Sequence, residues 1–428
     1  MRKINIAIIG LGNIGSYLFK YLEDNKKILT EKNNCLPVIK YVSAKNKNKK
    51  RNIKIKKNQW LKNYLDSTKL KDVDLIIELI GGAEGPAKKL VFNALKNKKH
   101  VVTANKALIA KYGDELSKIA EKNKVNLEFE ASVCGGVPII RLLKEGLIAN
   151  KISKIYGIFN GTSNYILTSM DKQNKNFNEV LSTAKNLGYA ESNPSADLNG
   201  DDVSSKLKIL SSLCFNSFLN DKIHVEGIKE IEKIDIVNAN KLGYKIKLLG
   251  FAELLNNKIY QRVHPTLIKK DSYVASIDGV LNAVIIDGKP VGQTIIQGEG
   301  AGSAATTSAL VSDISSILRG NIKFPFSLSN KERKHLNYED INNRLFSAYF
   351  RFEVIDKPGV LSNITKIFSK NKVSIKRLVQ NPYKSKKISS IVIITHNSKD
   401  KFLRKIFKEI SRKKYIKKKP KLMRIDND

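Results

Sequence analysis

Cysteine is scarce. Cys35, Cys134 and Cys214 are the only three in 428 residues, far apart and in no metal-ligand spacing. An odd, scattered set excludes a disulfide framework and suits a reducing compartment, so a cytoplasmic protein is expected. Histidine is nearly as sparse: His100, His224, His264, His335 and His396 form no metal spacing, and each is expected in a structural or surface role. No run approaches the ~18 apolar residues of a membrane span. Met1 to Gly10 holds a short apolar stretch without a cleavage site, which reads as a strand and not a signal peptide. Acidic residues are also short: 40 against 77 Lys+Arg, a formal net charge of +37. Such an excess raises the question of nucleic acid or an acidic membrane. Yet only 12 of the basic residues are arginine, the better reader of phosphates and bases. The abundance of Lys, Asn and Ile matches AT-rich coding. Apart from Lys45 to Lys57 and Arg412 to Lys421 the charge is scattered. It is expected to be a solvated surface that attracts anions at low salt, without a specific nucleic-acid partner.

What remains is globular: 42% apolar and 27% charged residues, and a length that suits two or three domains at roughly 150 residues each. Ile4 to Ile9 is an apolar strand that runs into Gly10-Leu11-Gly12-Asn13-Ile14-Gly15 and then into helical spacing over Ser16 to Leu22. Strand, G-x-G-x-x-G and helix stand in the order of a dinucleotide site. Gly10 permits the turn, Gly12 admits a pyrophosphate to the backbone, Gly15 lets the helix pack, and the helix N-terminus faces the phosphates. By itself the pattern is also that of a glycine-rich turn. The second strand, Pro37 to Ser43, is followed by Ala44-Lys45 and then Lys49, Lys50 and Arg51. No carboxylate stands where NAD sites hold the ribose, so NADP is favoured over NAD. Further strands (Val73 to Leu79, His100 to Thr103, Val125 to Phe129) alternate with helices (Pro86 to Asn97, Ala107 to Asn123). Alternation implies a doubly wound parallel sheet, with ligands at the C-terminal strand ends, where Gly81 and Lys106 fall.

From Glu130 the pattern changes. Glu130 to Pro138 is a small-residue turn before a helix, Ile139 to Ala149. Ile152 to Phe159 is strand-like and meets Asn160-Gly161-Thr162-Ser163-Asn164. Gly188-Tyr189-Ala190-Glu191 follows, and a helix opens near Val203. Asp202 and Lys206 are four apart on it, roughly 40° around the axis. Alone, that spacing favours an ordinary surface ion pair. Beside a nicotinamide, however, an alcohol oxidation needs a base, and a lysine can serve if burial or a cation such as Lys106 lowers its pKa. Cys134 has no sequence-local histidine to activate it for thioester chemistry, the route of aspartate-semialdehyde dehydrogenases, and reads as a small turn residue.

These segments together resemble the homoserine dehydrogenase family: Gly10 to Gly15, Glu78-Leu79-Ile80-Gly81-Gly82, Thr103-Ala104-Asn105-Lys106, Glu130 to Pro138, Asn160 to Asn164, Gly188 to Glu191, Asp202-x3-Lys206, Gly227 to Asp235, Leu242 to Gly250 and Gly298 to Gly302. The resemblance covers most of residues 4–318 in order. It implies reversible, NAD(P)-dependent interconversion of L-aspartate 4-semialdehyde and L-homoserine, in threonine, methionine and isoleucine biosynthesis. It implies Lys206 as acid/base assisted by Lys106, with Glu191 and Asp202 on homoserine. Leu11, Asn13, Ile14, Gly188 and Gly302 would line the cofactor site. A monovalent cation, sodium in the family, would sit at Glu130, Val133, Gly135 and Val137. A helix over Ala304 to Leu318 would return the chain to the nucleotide domain.

The expected architecture is therefore α/β: a Rossmann domain over 1–130 plus 304–320, an inserted α+β substrate and dimerisation domain over 131–303, and a linker over 321–344. A C-terminal domain over 345–428 completes it. There, a strand from Leu345 to Ile355, Asp356-Lys357-Pro358-Gly359-Val360-Leu361, a helix to Lys370, strands Ser374 to Val379 and Ile388 to Thr395 around a turn at Asn381 to Lys387, and a helix from Phe402 to Ser411 give a ferredoxin-like order. This resembles an ACT domain, which implies an amino-acid effector, L-threonine, and a homodimer or homotetramer. The basic run Arg412 to Lys421 is expected to be solvated or frayed. Competing readings are a related semialdehyde dehydrogenase and a non-catalytic amino-acid sensor.

Overall fold

The computed structural model describes residues 1–218, 223–382 and 387–426. The chain divides into two compact units: Met1–Gly161 with Asp202–Asn220 and Leu281–Asn337, and Thr162–Asp201 with Asp221–Val280 and Tyr338–Asp428. This division cuts across the expected 131–303 segment.

The first unit is built on a parallel sheet in the spatial order Cys35–Ser43, Arg2–Ile9, Leu75–Glu78, His100–Thr103, Leu127–Glu128. Ile6, Ile8, Leu75 and Ile77 are fully buried, as expected for strands covered on both faces. Helix Asn13–Asp24 turns Leu18, Phe19 and Leu22 inward, and helix Ser303–Leu318 packs against it with Leu310 and Ile314 in the same core. This late helix lies against the nucleotide sheet, in contact with its second and fourth chain-order strands. Pro86 stands at the first turn of Pro86–Lys96, where its missing N–H costs nothing. The strand expected over Val125 to Phe129 pairs at only two residues, Leu127–Glu128. The helix expected from Ile139 is a short α turn, Ile139–Arg141, continued by a π turn, Leu142–Gly146. A second antiparallel group, Gly292–Glu299, Leu281–Lys289 and Lys151–Ile158, also belongs to this unit.

Residues 321–337 have almost no regular structure but are held firmly. Phe326 is fully buried against Phe129 and Phe218. Arg333 donates to Asp114, Ser117 and Glu121. The polar composition that suggests a linker thus conceals a packed strap.

The second unit carries a mostly antiparallel sheet in the order Tyr244–Leu255, Lys258–Lys269, Lys421–Ile425, Leu345–Ile355, Ile388–Thr395, Ile375–Pro382. Its last four strands, with helices Val360–Lys370 and Asp400–Ser411, form the ferredoxin-like βαββαβ order. Of the expected turn at Asn381 to Lys387, residues 383–386 lie outside the described residues. The run Arg412 to Lys421, expected to be solvated or frayed, is largely exposed through Lys419, but it is tied to the neighbouring strand by the Lys417 amide on the Glu353 carbonyl at 2.8 Å, and the chain beyond it is ordered. Lys421–Ile425 is an inner strand, antiparallel to Leu345–Ile355 and parallel to Lys258–Lys269, with Met423 and Ile425 buried. Arg424 is buried and bonded to Asp400 and Glu226.

Candidate active site

The glycine loop follows the first strand. Gly10 has φ +109°, and a Cβ there would fall 2.4 Å from the Leu79 carbonyl oxygen. A Cβ on Gly15 would fall 2.0 Å from the Gly10 carbonyl oxygen, so only glycine allows the helix this close to the strand. At Gly12 the missing side chain would face open space, leaving the backbone approachable. A cavity of about 350 Å³ opens here, lined by Leu11, Gly12, Asn13, Lys49, Lys50 and Arg51 among others. Lys45 is exposed and not part of that lining. Arg51 donates from Nε to the Leu11 carbonyl oxygen at 2.9 Å and from its other nitrogens to carbonyls of Asn46, Lys47 and Lys49, so it folds the basic loop over the glycine turn.

At the next strand end, Glu78 is fully buried. Its Oε1 accepts from the amides of Ile80 (2.7 Å) and Gly81 (2.9 Å), and its Oε2 from the Thr103 hydroxyl (2.5 Å). One carboxylate thereby shapes the loop that carries Gly81. Asn105 caps the following helix, accepting from the Leu108 amide at 3.1 Å, and donates to the Gly82 carbonyl at 2.7 Å. Neither Glu78 nor Asn105 stood among the expected site residues, although both lie in the quoted motifs. Asn105 sets Lys106 at the first position of helix Lys106–Asn123.

Lys106, Asp202 and Lys206 come together. Lys106 Nζ lies 2.7 Å from Asp202 Oδ1, and Lys206 Nζ 2.8 Å from Asp202 Oδ2. Lys206 Nζ also donates to the Phe159 carbonyl oxygen at 2.7 Å, and Asn160 Nδ2 to Asp202 Oδ2 at 2.9 Å. The Asp202 and Lys206 side chains are 4% and 10% exposed, against 42% for Lys106; this is not the surface pair that the i,i+4 spacing alone suggests. Gly200 at φ +88° ends helix Ser195–Asn199 and lets Asp201–Phe215 restart at once, which places Asp202 in the first turn. Burial pushes the Asp202 carboxyl up, but the ammoniums of Lys206 and Lys106 outweigh it and hold the group well below the usual carboxylate range. The Phe159 carbonyl is a partner that residue identity could not reveal. Glu191 and Gly188 belong to the other compact unit; both are exposed, and Gly188 follows helix Phe177–Asn186 at φ +76°.

Glu130 is buried, with Oε1 accepting from the Ile140 amide (2.9 Å) and Oε2 from the Arg141 amide (2.6 Å). Burial pushes its carboxyl up to about 7 against those two amides, and no ion pair to it occurs among the described residues. Val133 and Val137 are buried beside it in sequence. Gly135, at φ +39°, has its Cβ position 2.8 Å from the Gly300 carbonyl oxygen. Gly302 precedes helix Ser303–Leu318 as its cap residue. The thiol of Cys134 is buried and its pKa raised by that burial, the opposite of an activated nucleophile. Among the described residues no three His, Cys, Asp or Glu side chains gather as a metal cluster.

A phosphate loop serves many reactions. A buried carboxylate steadying two amines, one of them at a strand end of the same sheet, is compatible with an oxidoreductase of the nicotinamide class. Residues 10–130 match the family model of the homoserine dehydrogenase NAD-binding domain, 138–315 that of homoserine dehydrogenase, and 350–417 that of the AHAS small subunit-like ACT domain. The homoserine dehydrogenase of Neisseria gonorrhoeae is 38% identical over 415 residues, covering 94% of each chain. The crystal structure of a homoserine dehydrogenase from Thiobacillus denitrificans is similar at a TM-score of 0.91 and 34% identity, over 100% of this chain and 99% of that one. A hyperthermophilic archaeal homoserine dehydrogenase, solved in complex with NADPH, is similar at a TM-score of 0.63 and 26% identity, over 73% of this chain and 97% of that one. The chain belongs to the homoserine dehydrogenase family.

Proposed function

We propose that the enzyme reduces L-aspartate 4-semialdehyde to L-homoserine with Lys206 as the acid, and runs the reverse reaction with Lys206 as the base. The observation that carries this reading is the buried Asp202 carboxylate, bonded to the amines of both Lys206 and Lys106. When bound, the nicotinamide supplies hydride to the aldehyde carbon or accepts it from the alcohol carbon. Lys206 passes a proton to the oxygen as the C–O double bond opens, and takes it back in oxidation. Asp202 and the Phe159 carbonyl hold that ammonium in place, so little reorganisation accompanies the transfer. Lys106 adds positive charge that favours the developing alkoxide. Glu191 and Asp202 are the residues for the substrate ammonium. The test is oxidation of NADPH and NADH by purified protein with the semialdehyde, with and without L-threonine. Turnover suppressed by threonine supports the whole reading. Undiminished turnover removes the feedback role, and no turnover from folded protein removes the chemistry.

We assign the coenzyme preference to NADP(H), through the basic loop at the glycine turn. Gly10, Leu11, Gly12, Asn13, Ile14 and Gly15 would hold the dinucleotide, with Gly81, Gly188 and Gly302. The 2′-phosphate would meet Lys49 and Lys50, with Lys45 on the same loop. The double change Lys49→Ser/Lys50→Ser is expected to raise KM for NADPH about ten-fold while leaving NADH nearly unchanged, since about 1.4 kcal/mol is one decade. Equal effects on both coenzymes would reject the assignment.

A sodium ion suits the turn at Glu130. The Glu130 carboxylate is buried and has no ion-pair partner among the described residues, and with the carbonyls of Val133, Gly135 and Val137, which the family resemblance implies, it would make an oxygen donor set of the kind a hard cation takes. Its role would be to fix this turn and the helix that follows. The ACT domain is read as the seat of an amino-acid effector, with L-threonine the candidate. The assembly is read as a homodimer or homotetramer and the compartment as the cytoplasm.

A further inference from the structure

The second unit holds a cavity of about 710 Å³, bounded by helix Asp400–Ser411, strand Lys421–Ile425 and the 226–230 segment. That is the size of a small-molecule site. Six cationic side chains line it against two carboxylates, Glu226 and Glu230. Arg404 and Arg424 are already engaged with Asp400, and Arg424 also binds Glu226 at 3.0 Å. Glu230 pairs with Lys419. The other four cations, Lys229, Lys408, Arg412 and Lys421, have no side-chain hydrogen bond or ion pair among the described residues.

In a chain of net charge +37 a lysine at any one place says little. Arginine says more, because only 12 are present. Nine of them hold carbonyls or carboxylates inside the fold. Arg412 is one of three without such a role among the described residues, and it stands at this cavity. Lys421 adds a second sign. It is half-buried, and burial pulls its ammonium pKa down despite distant carboxylates. A cleft of net positive charge with partly apolar walls focuses the field on an anion, and phosphate accepts both the fork of arginine and the point charge of lysine.

We propose that this cavity binds a phosphate-bearing small molecule with at least two negative charges. Lys229, Lys408, Arg412 and Lys421 hold the phosphates, and half-buried Phe407 offers a face to an organic part. The floor includes Leu198 and Asn199, tied to the 226–230 segment by the Ile228 amide on the Leu198 carbonyl at 2.9 Å. These residues end the helix that Gly200 joins to the one carrying Asp202, so a ligand here touches the segment leading into the catalytic helix.

The test is calorimetric titration of sodium pyrophosphate, and in a parallel arm ATP, into the full chain at fixed ionic strength. One equivalent of NADPH is present so that the glycine loop is occupied. One site per chain is expected. It should weaken about ten-fold in Lys408→Ser/Arg412→Ser and stay unchanged in Lys376→Ser/Arg377→Ser, which removes equal charge from exposed positions on strand Ile375–Pro382. Tighter binding of ATP makes the ligand a nucleotide; equal binding makes it phosphate alone. Equal weakening in both variants, or heat that never saturates, overturns the site and leaves only general attraction to a basic protein.

Discussion

Lys206→Met is expected to lower kcat by ~10²–10⁴ in both directions, the usual worth of a positioned proton donor or acceptor, while NADPH binding and the melting temperature stay near those of the parent. Methionine keeps the length of the side chain and removes only the titrating group. The Asp202 carboxylate retains Lys106 at 2.7 Å and the amide of Asn160 at 2.9 Å, so no buried charge is left without a partner. A general loss of structure is therefore not anticipated. Because Asp202 titrates far below neutrality, it stays ionised through the working range, and the pH profile of the parent near neutral and alkaline pH does not report on it. Steady-state kinetics in both directions, with cofactor affinity measured separately, decides the matter. A kcat within ten-fold of the parent would falsify the role given to Lys206. A fall in cofactor affinity matching the fall in kcat would mean that the lysine positions the cofactor instead.

Much of this site is written in local sequence. The glycine loop is legible because its three glycines answer to three separate steric demands, two of which the structure meets at contact distances no side chain tolerates, 2.4 and 2.0 Å. Asp202 and Lys206 are legible as a pair because a helix sets their spacing. Their burial is not, since the same spacing is common on wet surfaces. The third member, Lys106, comes from another element far along the chain, and the Phe159 carbonyl belongs to no side chain at all. The chemistry of a lysine base asked for a cationic neighbour such as Lys106, and the resemblance to a family gave it a role, but no local spacing places it beside the pair. The same limit explains the tail. Lys421-Leu422-Met423-Arg424-Ile425 follows a run of lysines that is solvated, and nothing local marks these five residues as a strand whose Arg424 is neutralised by Asp400 and Glu226. The strap over 321–337 was hidden likewise, because its anchor Arg333 is polar and its partners Asp114 and Glu121 lie on a distant helix.

The tail strand changes what the ACT segment is. Lys421–Ile425 pairs on one side with Leu345–Ile355 and on the other with Lys258–Lys269, so the ferredoxin-like strands continue the sheet of the substrate segment and are not a separate module on a tether. Arg351 is one of the buried arginines that bond across that junction. Its guanidinium, 1% exposed, donates to both oxygens of the fully buried Asp235, at 2.7 and 3.2 Å, and to Glu353 at 3.1 Å. Asp235 lies on helix Lys233–Lys241, and Tyr349 adds its hydroxyl to the same carboxylate at 3.1 Å. Arg351→Met is expected to cost ~3–5 kcal/mol of stability, because it leaves a buried carboxylate without its counter-charge. The pair variant Arg351→Met/Asp235→Leu should recover most of that loss, since apolar groups of similar size replace a buried ion pair at little or no cost. Urea unfolding followed by far-ultraviolet circular dichroism gives both values as shifts in midpoint. If the single change costs under ~1 kcal/mol, the value of an exposed pair, the junction rests on its shared strands and its other ion pairs and not on Arg351. If the double change is no better than the single, the hydrogen bonds themselves, and not the stranded charge, are what the junction requires.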